Sequence, residues 1–374
     1  MILCGMSLAR IAGHHEARRR LSAAFASGRL PQVMVFTGPV GVGKQRLALW
    51  LAQLLLCSGA GAGADSDSAT EPCGNCRGCR AVLELRHPDL HWLIPIPRPK
   101  AGEPDKQVAE AEQAVGALLE ERRAQPLWAR PDGMSSHSLA SVRLLQRSAS
   151  LTAVEGGRRI FIVGDAERLV PQESSPEAAN ALLKLLEEPP AGATFILTAT
   201  DVRHLLPTIR SRAAPLRLLR LADAEVREFL ATGGAVPERE IAQRTRLAAG
   251  LIGAALADDE SGGTARKTAH AVLEAVAGSS RGERSLAALR QAPVAARGEF
   301  TLVLEAMAET LADAARGALT NDSHRPVPQA LRGRDPGALV RAIERIEAAR
   351  EAAYGNVNPQ LLLAVLGDDL AELL

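Results

Sequence analysis

The feature that most constrains the fold is a glycine-rich loop between an apolar strand and an apolar helix. The short apolar run from Val33 to Thr37 leads into the loop, and leucines recur at helical spacing from Lys44 to Leu56. Glycines let backbone amides approach phosphate oxygens, while the helix N-terminus and a lysine add positive charge. The pattern predicts an α/β fold, a parallel sheet with helices, and a phosphate loop. Its predicted nucleotide-binding residues are Gly38, Gly41, Gly43 and Lys44.

The groups that a phosphate loop needs for hydrolysis are missing. Gln45 follows Lys44, where coordination of magnesium calls for a Ser or Thr hydroxyl. Asp165 ends a second apolar strand and could hold a metal, but Ala166 stands where a water-activating glutamate is expected. We therefore expect a pocket that can take ATP or ADP without hydrolysing it. The alternative is an active ATPase that uses Asp165 with Glu167 as the water activator.

Four cysteines favour a structural metal site. Cys73, Cys76 and Cys79 form a CxxCxxC run, and Cys57 closes the preceding helix. Four thiolates satisfy tetrahedral zinc and leave no exchangeable position, which is typical of a structural site. The sequence leaves open whether the fourth ligand is Cys57 or a histidine, His87 or His91. Cysteines crowded in this way fit a metal site in a reducing compartment better than they fit a disulfide framework.

Composition excludes some functional classes. A chain of 374 residues, 47% of them hydrophobic, predicts two or three domains. With 44 basic and 43 acidic residues, the surface as a whole has no strong electrostatic reason to bind nucleic acid. No apolar run approaches the roughly 20 residues that cross a bilayer, and the first residues lack a secretory signal's apolar core. We expect a cytoplasmic protein without membrane contact.

A segment rich in proline and charge interrupts the α/β pattern at residues 94–135. It contains IPIPRPKAGEPDK and a polar helical stretch around Gln107 to Ala124. We interpret it as an insertion that forms a surface excursion or a solvated arm, with Trp128 as a local packing anchor.

Regular structure returns with a well-bounded helix. Ser175 can cap a helix from Pro176 to Glu188, and two prolines end it. We expect a solvated face, or a surface for another subunit, at Asn180, Lys184, Glu187 and Glu188. Thr194 to Ala199 then predicts a buried strand, and Thr200 at its end either senses a phosphate or caps the next turn.

Helical composition dominates the rest of the chain. A small helical lid is expected from Arg220 to about Asp258, followed by a linker, Asp259 to Gly263, and a helical bundle. The last helix, Pro359 to Leu374, has leucines that suit either an internal core or an interface.

Several of these motifs occur together in one known family. The combination of GRLPQ, GPVGVGK, the cysteine cluster, EAANALLKLLEEPP and TIRSR resembles the bacterial DNA polymerase III clamp loader across most of residues 10–215. The lost hydroxyl and glutamate resemble the delta-prime type of subunit, not the hydrolysing gamma or tau type. The resemblance implies an AAA+ domain over 1–219, with a zinc module at 57–79 and the insertion at 94–135. It also implies a helical lid at 220–260 and an all-α collar at 261–374.

The resemblance also implies a role for one arginine. Where the family has Ser-Arg-Cys, this chain has Ser211, Arg212 and Ala213, so the arginine is retained. Arg212 is then expected to act in trans as an arginine finger at the ATP site of a neighbouring subunit.

The implied partners are gamma/tau and delta subunits in a heteropentamer, the beta sliding clamp and primed DNA. The chain would have no enzymatic activity of its own and would belong to the DNA-directed DNA polymerase III holoenzyme. Besides the active ATPase, a second alternative is a zinc-stabilised nucleic-acid-binding protein, which the near-zero net charge disfavours.

Overall fold

The protein divides into two compact units. The computed structural model describes residues 11–59, 71–100, 102–125, 135–155, 157–169, 177–233, 236–257, 259–278, 281–291, 297–320, 327–353 and 357–374. Within these residues the first unit ends at Leu256 and the second begins at Ala257. Each unit is described by itself below.

A parallel sheet forms the centre of the first unit. Its described strands are β1 (Val33–Thr37), β2 (Leu90–Leu93), β3 (Arg159–Val163), β4 (Ala193–Ala199) and β5 (Ala214–Arg217). They lie in the order β2-β3-β4-β1-β5, and every neighbouring pair is parallel. The carboxyl ends of all strands therefore meet at one edge of the sheet, where open α/β sheets bind ligands.

Helices cover both faces of this sheet. The helices of this part are α1 (His15–Ala26), α2 (Lys44–Leu55), α3 (Arg77–Leu83), α4 (Pro104–Ala124), α5 (Leu139–Ser150), α6 (Glu177–Glu187) and α7 (Pro207–Arg210). Alternate strand residues point to opposite faces, so Val35 packs in the core formed with α4, α5 and α6, whereas Phe36 packs in the core formed with α1, α2 and α3. Burial on both faces explains why the central strands are almost wholly apolar.

Three shorter helices complete the first unit. They are α8 (Asp223–Gly233), α9 (Glu238–Ala248) and α10 (Ile252–Leu256), and they enclose a small core that includes Val226, Leu230 and Ala255. Helix α10 contacts the phosphate loop directly, because the backbone N–H of Gly253 donates to the carbonyl of Gly41 at 2.9 Å.

The second unit is helical throughout its described residues. It contains α11 (Asp259–Ala277), α12 (Arg281–Leu289), α13 (Arg297–Thr320), α14 (Pro336–Ala353) and α15 (Pro359–Leu373) around one apolar core. Leu363, Leu366 and Leu370 of α15 enter that core, whereas Leu361 and Val365 remain 63% and 53% exposed. None of the described helices combines the length and the apolar character that a membrane span requires.

The expected architecture is confirmed: an α/β domain with a parallel sheet precedes a region of helices. The expected helix α6 and strand β4 are present within a residue or two of their predicted ends. The proposed cap, Ser175 with Pro176, and the proposed anchor Trp128 lie outside the described residues.

The interpretation of the insertion as a solvated arm is wrong. Helix α4 buries Val108, Ala111 and Val115 in the core beneath α5, so the insertion contributes a packed helix to the α/β domain. Arg123 fixes its far end by donating to the carbonyls of Glu84 and Leu85, each at 2.8 Å. The fully buried residues of α4 are only two valines and one alanine in a charged helix, while Ala114, Leu118 and Leu119 are partly buried against the same core.

The predicted linker is also wrong. Asp259 to Gly263 forms the first turns of α11 instead of a separate connection.

Candidate functional site

The phosphate loop is formed and its lysine is held inside it. Gly38, Gly41 and Gly43 have φ angles of 149°, 79° and 108°, a region that residues with a Cβ rarely adopt. The amine of Lys44 is buried and donates to the carbonyls of Gly38 at 2.8 Å and Pro39 at 3.0 Å. The loop therefore satisfies the lysine with its own backbone.

Gln45 lies against the end of strand β3. A Cβ placed on Gly164 would come within 3.0 Å of the Gln45 amide nitrogen. The next residue, Asp165, has a left-handed backbone with φ of 49°. The amide of Gln45 therefore lies near the end of β3, directly before Asp165, the carboxylate that is expected to bind a metal. Ala166 has no carboxylate and is buried in the core, so it cannot take the place of the expected glutamate.

Glu167 is half-buried beside the loop. Its carboxylate accepts the backbone N–H of Thr200 at 3.0 Å, and the carbonyl of Thr200 accepts the N–H of Gly38 at 3.2 Å. The second oxygen, Oε2, is buried and accepts no hydrogen bond from the described residues. Burial, with a smaller effect from the negative charge of Asp165, raises the pKa of Glu167, although Lys44 acts in the opposite direction. The backbone of Thr200 therefore links Glu167 to Gly38 of the phosphate loop.

Two arginines near this edge of the sheet were missed in the sequence. The guanidinium of Arg122, near the end of α4, lies 5.9 Å from the centre of the Trp92 ring. Burial, and then the like charge of Arg122, lowers the pKa of Arg46 to about 10. Burial also lowers the pKa of Arg122, while the negative charge of Asp165 opposes that shift. The insertion therefore brings a cation close to the degenerate nucleotide site, and no motif in the sequence signals this convergence.

The four predicted cysteine ligands are brought together. The sulfur atoms of Cys57, Cys73, Cys76 and Cys79 all lie within 4.8 Å of one another. Cys73 and Cys79 are separated by 3.9 Å between sulfurs, and so are Cys57 and Cys76. A tetrahedral zinc site with bonds of about 2.3 Å requires sulfur separations of about 3.8 Å. The cluster could therefore hold a metal ion, and its geometry is compatible with structural zinc.

Local backbone donors support the thiolate form at Cys73 and Cys76, whereas burial raises the pKa of the Cys79 thiol. The N–H of Cys76 donates to the Cys73 sulfur at 3.4 Å, and the N–H of Cys79 donates to the Cys76 sulfur at 3.3 Å. Hydrogen bonds from the N–H groups of Asn75 and Cys76 lower the pKa of Cys73. Thiolates are the form in which cysteine binds zinc.

Neither candidate histidine joins the sulfur cluster. His87 accepts the N–H of Asp89 at its Nδ1 atom and directs Nε2 towards Glu155, at 3.7 Å. His91 stacks on Phe161 with ring centres 5.0 Å apart. Of the two alternatives for the fourth ligand, the structure groups Cys57 with the other three cysteines.

Arg212 is exposed between helix α7 and strand β5. Its Nη1 donates to the carbonyl of Thr208 at 2.8 Å and to the hydroxyl of Ser211 at 3.2 Å. Its Nη2 pairs with the carboxylate of Glu187 at 2.8 Å. Ala213, where the family pattern has cysteine, is buried at the start of the strand. The geometry leaves the proposed catalytic role of Arg212 a prediction.

The chain's own phosphate loop is far from Arg212. The loop follows the carboxyl end of β1, whereas Arg212 precedes the amino end of β5, and the two strands are parallel neighbours. Leu218, just after β5, bonds to Thr37 at the loop edge. The six residues from Arg212 to Leu218 span about 20 Å at the rise of an extended strand. Arg212 cannot reach its own loop without a rearrangement of the sheet.

Comparison with known proteins gives a family match over much of the first unit. The family described as "DNA polymerase III, delta subunit" matches residues 13–222, which is more than half of the chain.

Individual relatives agree with this match. The chain is 29% identical to DNA polymerase III subunit delta' of Bacillus subtilis, over 50% of this chain and 42% of that protein. It is 27% identical to the delta' subunit of Escherichia coli, over 64% of this chain and 57% of that protein. A gamma/tau subunit of Mycobacterium bovis is 29% identical over 57% of this chain and 29% of that protein. The chain thus spans about half the length of the two delta' relatives.

Proposed function

Because the chain belongs to the family described as DNA polymerase III, delta subunit, which is a clamp-loader family, we propose that it is the delta-prime type of subunit. It would act as a stator in a heteropentamer with gamma/tau and delta subunits. That assembly would load the beta sliding clamp onto primed DNA during chromosomal replication, in the cytoplasm, as part of the DNA polymerase III holoenzyme.

The position of Arg212 is the observation that carries this proposal. The side chain is exposed at the edge of the sheet opposite its own phosphate loop, about 20 Å away. An arginine in that position suits a neighbouring subunit's ATP site better than its own. There its guanidinium would stabilise charge on the transferred phosphate, an effect worth about a thousandfold or more in rate.

Four features support a subunit that does not hydrolyse ATP itself. Gln45 supplies an amide where magnesium needs a hydroxyl, and Ala166 is buried in the core. Glu167, the remaining carboxylate, accepts the N–H of Thr200 with one oxygen and has the other buried, which leaves it poorly placed to activate a water. Lys44 bonds to the loop's own carbonyls. ATP or ADP at Gly38, Gly41, Gly43 and Lys44 would then be bound without turnover.

The cysteine cluster would hold a structural zinc ion. When bound, zinc would crosslink the end of α2, through Cys57, to the loop and helix that carry Cys73, Cys76 and Cys79. Four thiolate ligands leave no open position for catalysis. The ion would stabilise the zinc module, residues 57–79, and take no part in ATP chemistry.

The helical regions would serve assembly. We propose domain limits of 1–219 for the AAA+ domain, 220–260 for the lid and 261–374 for the collar. Leu286 and Leu289 of α12 and Leu361 and Val365 of α15 are 53% to 64% exposed, and the two helices are joined by a hydrogen bond from the Gln360 side chain to the carbonyl of Leu289 at 3.1 Å. Exposed apolar side chains on adjoining helices suit a subunit interface.

Reconstitution tests the function directly. The chain is combined with gamma/tau and delta subunits, the beta clamp, primed DNA and ATP, and clamps retained on circular DNA are counted. We expect loading that depends on the chain and survives Lys44→Ala within it. Loading that proceeds equally without the chain would refute the proposal, and ATP hydrolysis by the isolated chain that Lys44→Ala abolishes would favour an active ATPase.

A further inference from the structure

We propose that Glu187 is a positioning residue that holds the Arg212 guanidinium in the orientation in which it meets a neighbour's ATP. This inference rests on the proposed function, because it concerns how the arginine finger is presented. Nothing in the sequence pairs these two residues, which come from different elements of the first unit.

Glu187 is poorly placed for the stability of its own helix. It is the last residue of α6, and the negative end of a helix dipole disfavours a carboxylate there. Two prolines follow Glu188 and prevent any continuation of the helix. The carboxylate finds its favourable contact outside the helix, at the Nη2 of Arg212, 2.8 Å away.

Together, Glu187 and Thr208 hold both ends of the guanidinium. The carbonyl of Thr208 binds Nη1 at 2.8 Å while Glu187 binds Nη2. A guanidinium has five N–H donors. Among the described residues, the Nε–H of Arg212 has no hydrogen-bond acceptor, so Arg212 can keep both contacts and still donate to a phosphate.

Holding the side chain in advance lowers the entropy lost when it engages ATP. A free arginine loses much of its rotamer freedom when it binds, and ordering one such side chain accounts for a factor of about three to ten. Because both groups are partly exposed, with side-chain exposures of 35% and 47%, the pair itself adds little to folding stability. Its effect is therefore expected in turnover.

The test is a mutant cycle in the reconstituted loader, with ATP, the beta clamp and primed DNA. The variants are Glu187→Ala, Glu187→Gln, Arg212→Ala and the double variant. Glu188→Ala is the matched control, since Glu188 is the adjacent exposed glutamate and pairs with no cation among the described residues. Size-exclusion chromatography checks that each loader is assembled before kcat and KM are measured.

We expect Glu187→Ala to lower kcat about threefold to tenfold with KM for ATP unchanged. Glu187→Gln, which keeps an acceptor oxygen, should lose less. Neither change should slow a loader that already carries Arg212→Ala, and Glu188→Ala should match the parent.

The two levels of proposal fail differently. If Arg212→Ala slows the loader but Glu187→Ala leaves kcat unchanged, raises it, or slows the Arg212→Ala loader further, the positioning role is overturned and the finger stands. If Arg212→Ala itself changes nothing, the finger proposal fails and this inference falls with it.

Discussion

Replacement of Gly78 by alanine should weaken zinc binding by deforming the cysteine cluster. Gly78 lies in α3 between Cys76 and Cys79, and a Cβ there would be 2.3 Å from the carbonyl oxygen of Leu56. That oxygen belongs to backbone, directly before Cys57, and cannot rotate away. The start of α3 must move by about 1 Å to restore a normal contact, and two of the four sulfurs must move with it.

The expected magnitude follows from two opposing effects. Overpacking of this kind costs about 1–3 kcal/mol, whereas alanine gains up to about 1 kcal/mol over glycine in a helix. The net loss of about 1–2 kcal/mol corresponds to roughly fivefold to thirtyfold weaker zinc binding if the strain falls on the metal-bound form. The unfolding temperature should fall by about 2–8 °C.

Competition with a chromophoric zinc chelator measures the affinity, and thermal unfolding measures the stability. Gly116→Ala is the matched control, because Gly116 lies within α4 and an added Cβ meets nothing within 4 Å. It should leave zinc affinity unchanged and raise stability by up to about 1 kcal/mol. If Gly78→Ala binds zinc as tightly as the parent chain, the proposed close packing of α3 on the end of α2 is refuted.

Three further outcomes are expected. Glu167→Gln should raise the unfolding temperature at pH 8: burial raises the carboxyl's folded pKa, so ionisation costs stability above the unfolded pKa, and the gain should vanish near pH 4.5. A gain that is equal at all pH values would contradict this. Burial lowers the pKa of His137 to about 4, so the unfolded chain binds the extra proton first and roughly 3 kcal/mol should be lost as pH falls from 6.5 to 4. Urea unfolding of His137→Gln should show a shallower loss over that window, and an identical pH profile would argue against it. Serine at both Leu361 and Val365, which are exposed, should leave the unfolding temperature of the isolated chain almost unchanged but weaken its assembly with gamma/tau and delta at least tenfold in sedimentation analysis. Unchanged assembly would exclude this face from the interface.

Short-range patterns predicted the sheet and the cysteine cluster well. The strands around Val35 and Ile162 are buried on both faces, so they appear in the sequence as continuous apolar runs that are hard to mistake. Cys57 joins the cluster because the connecting segment is long enough to fold back, which costs little in loop entropy.

Contacts between distant elements could not be predicted in the same way. The fully buried residues of α4 are only two valines and one alanine in a charged helix, so the sequence does not signal its packing against α5 by a strong apolar pattern. Arg46 and Arg122 converge only after α2 and α4 have packed, and the pairing of Glu187 with Arg212 arises from the meeting of α6 and α7. Helix α11 includes Asp259 to Gly263, where the glycines in the sequence suggest a linker.

Steady-state ATP hydrolysis by the assembled loader, with clamp and primed DNA, tests the central claim most directly. The comparison is between the parent chain and Arg212→Ala, with the isolated chain measured alongside. The account predicts no hydrolysis by the isolated chain, and a large fall in the turnover of the ATP site that Arg212 completes, without loss of assembly. Turnover by the isolated chain, or an Arg212→Ala loader as fast as the parent, would contradict it.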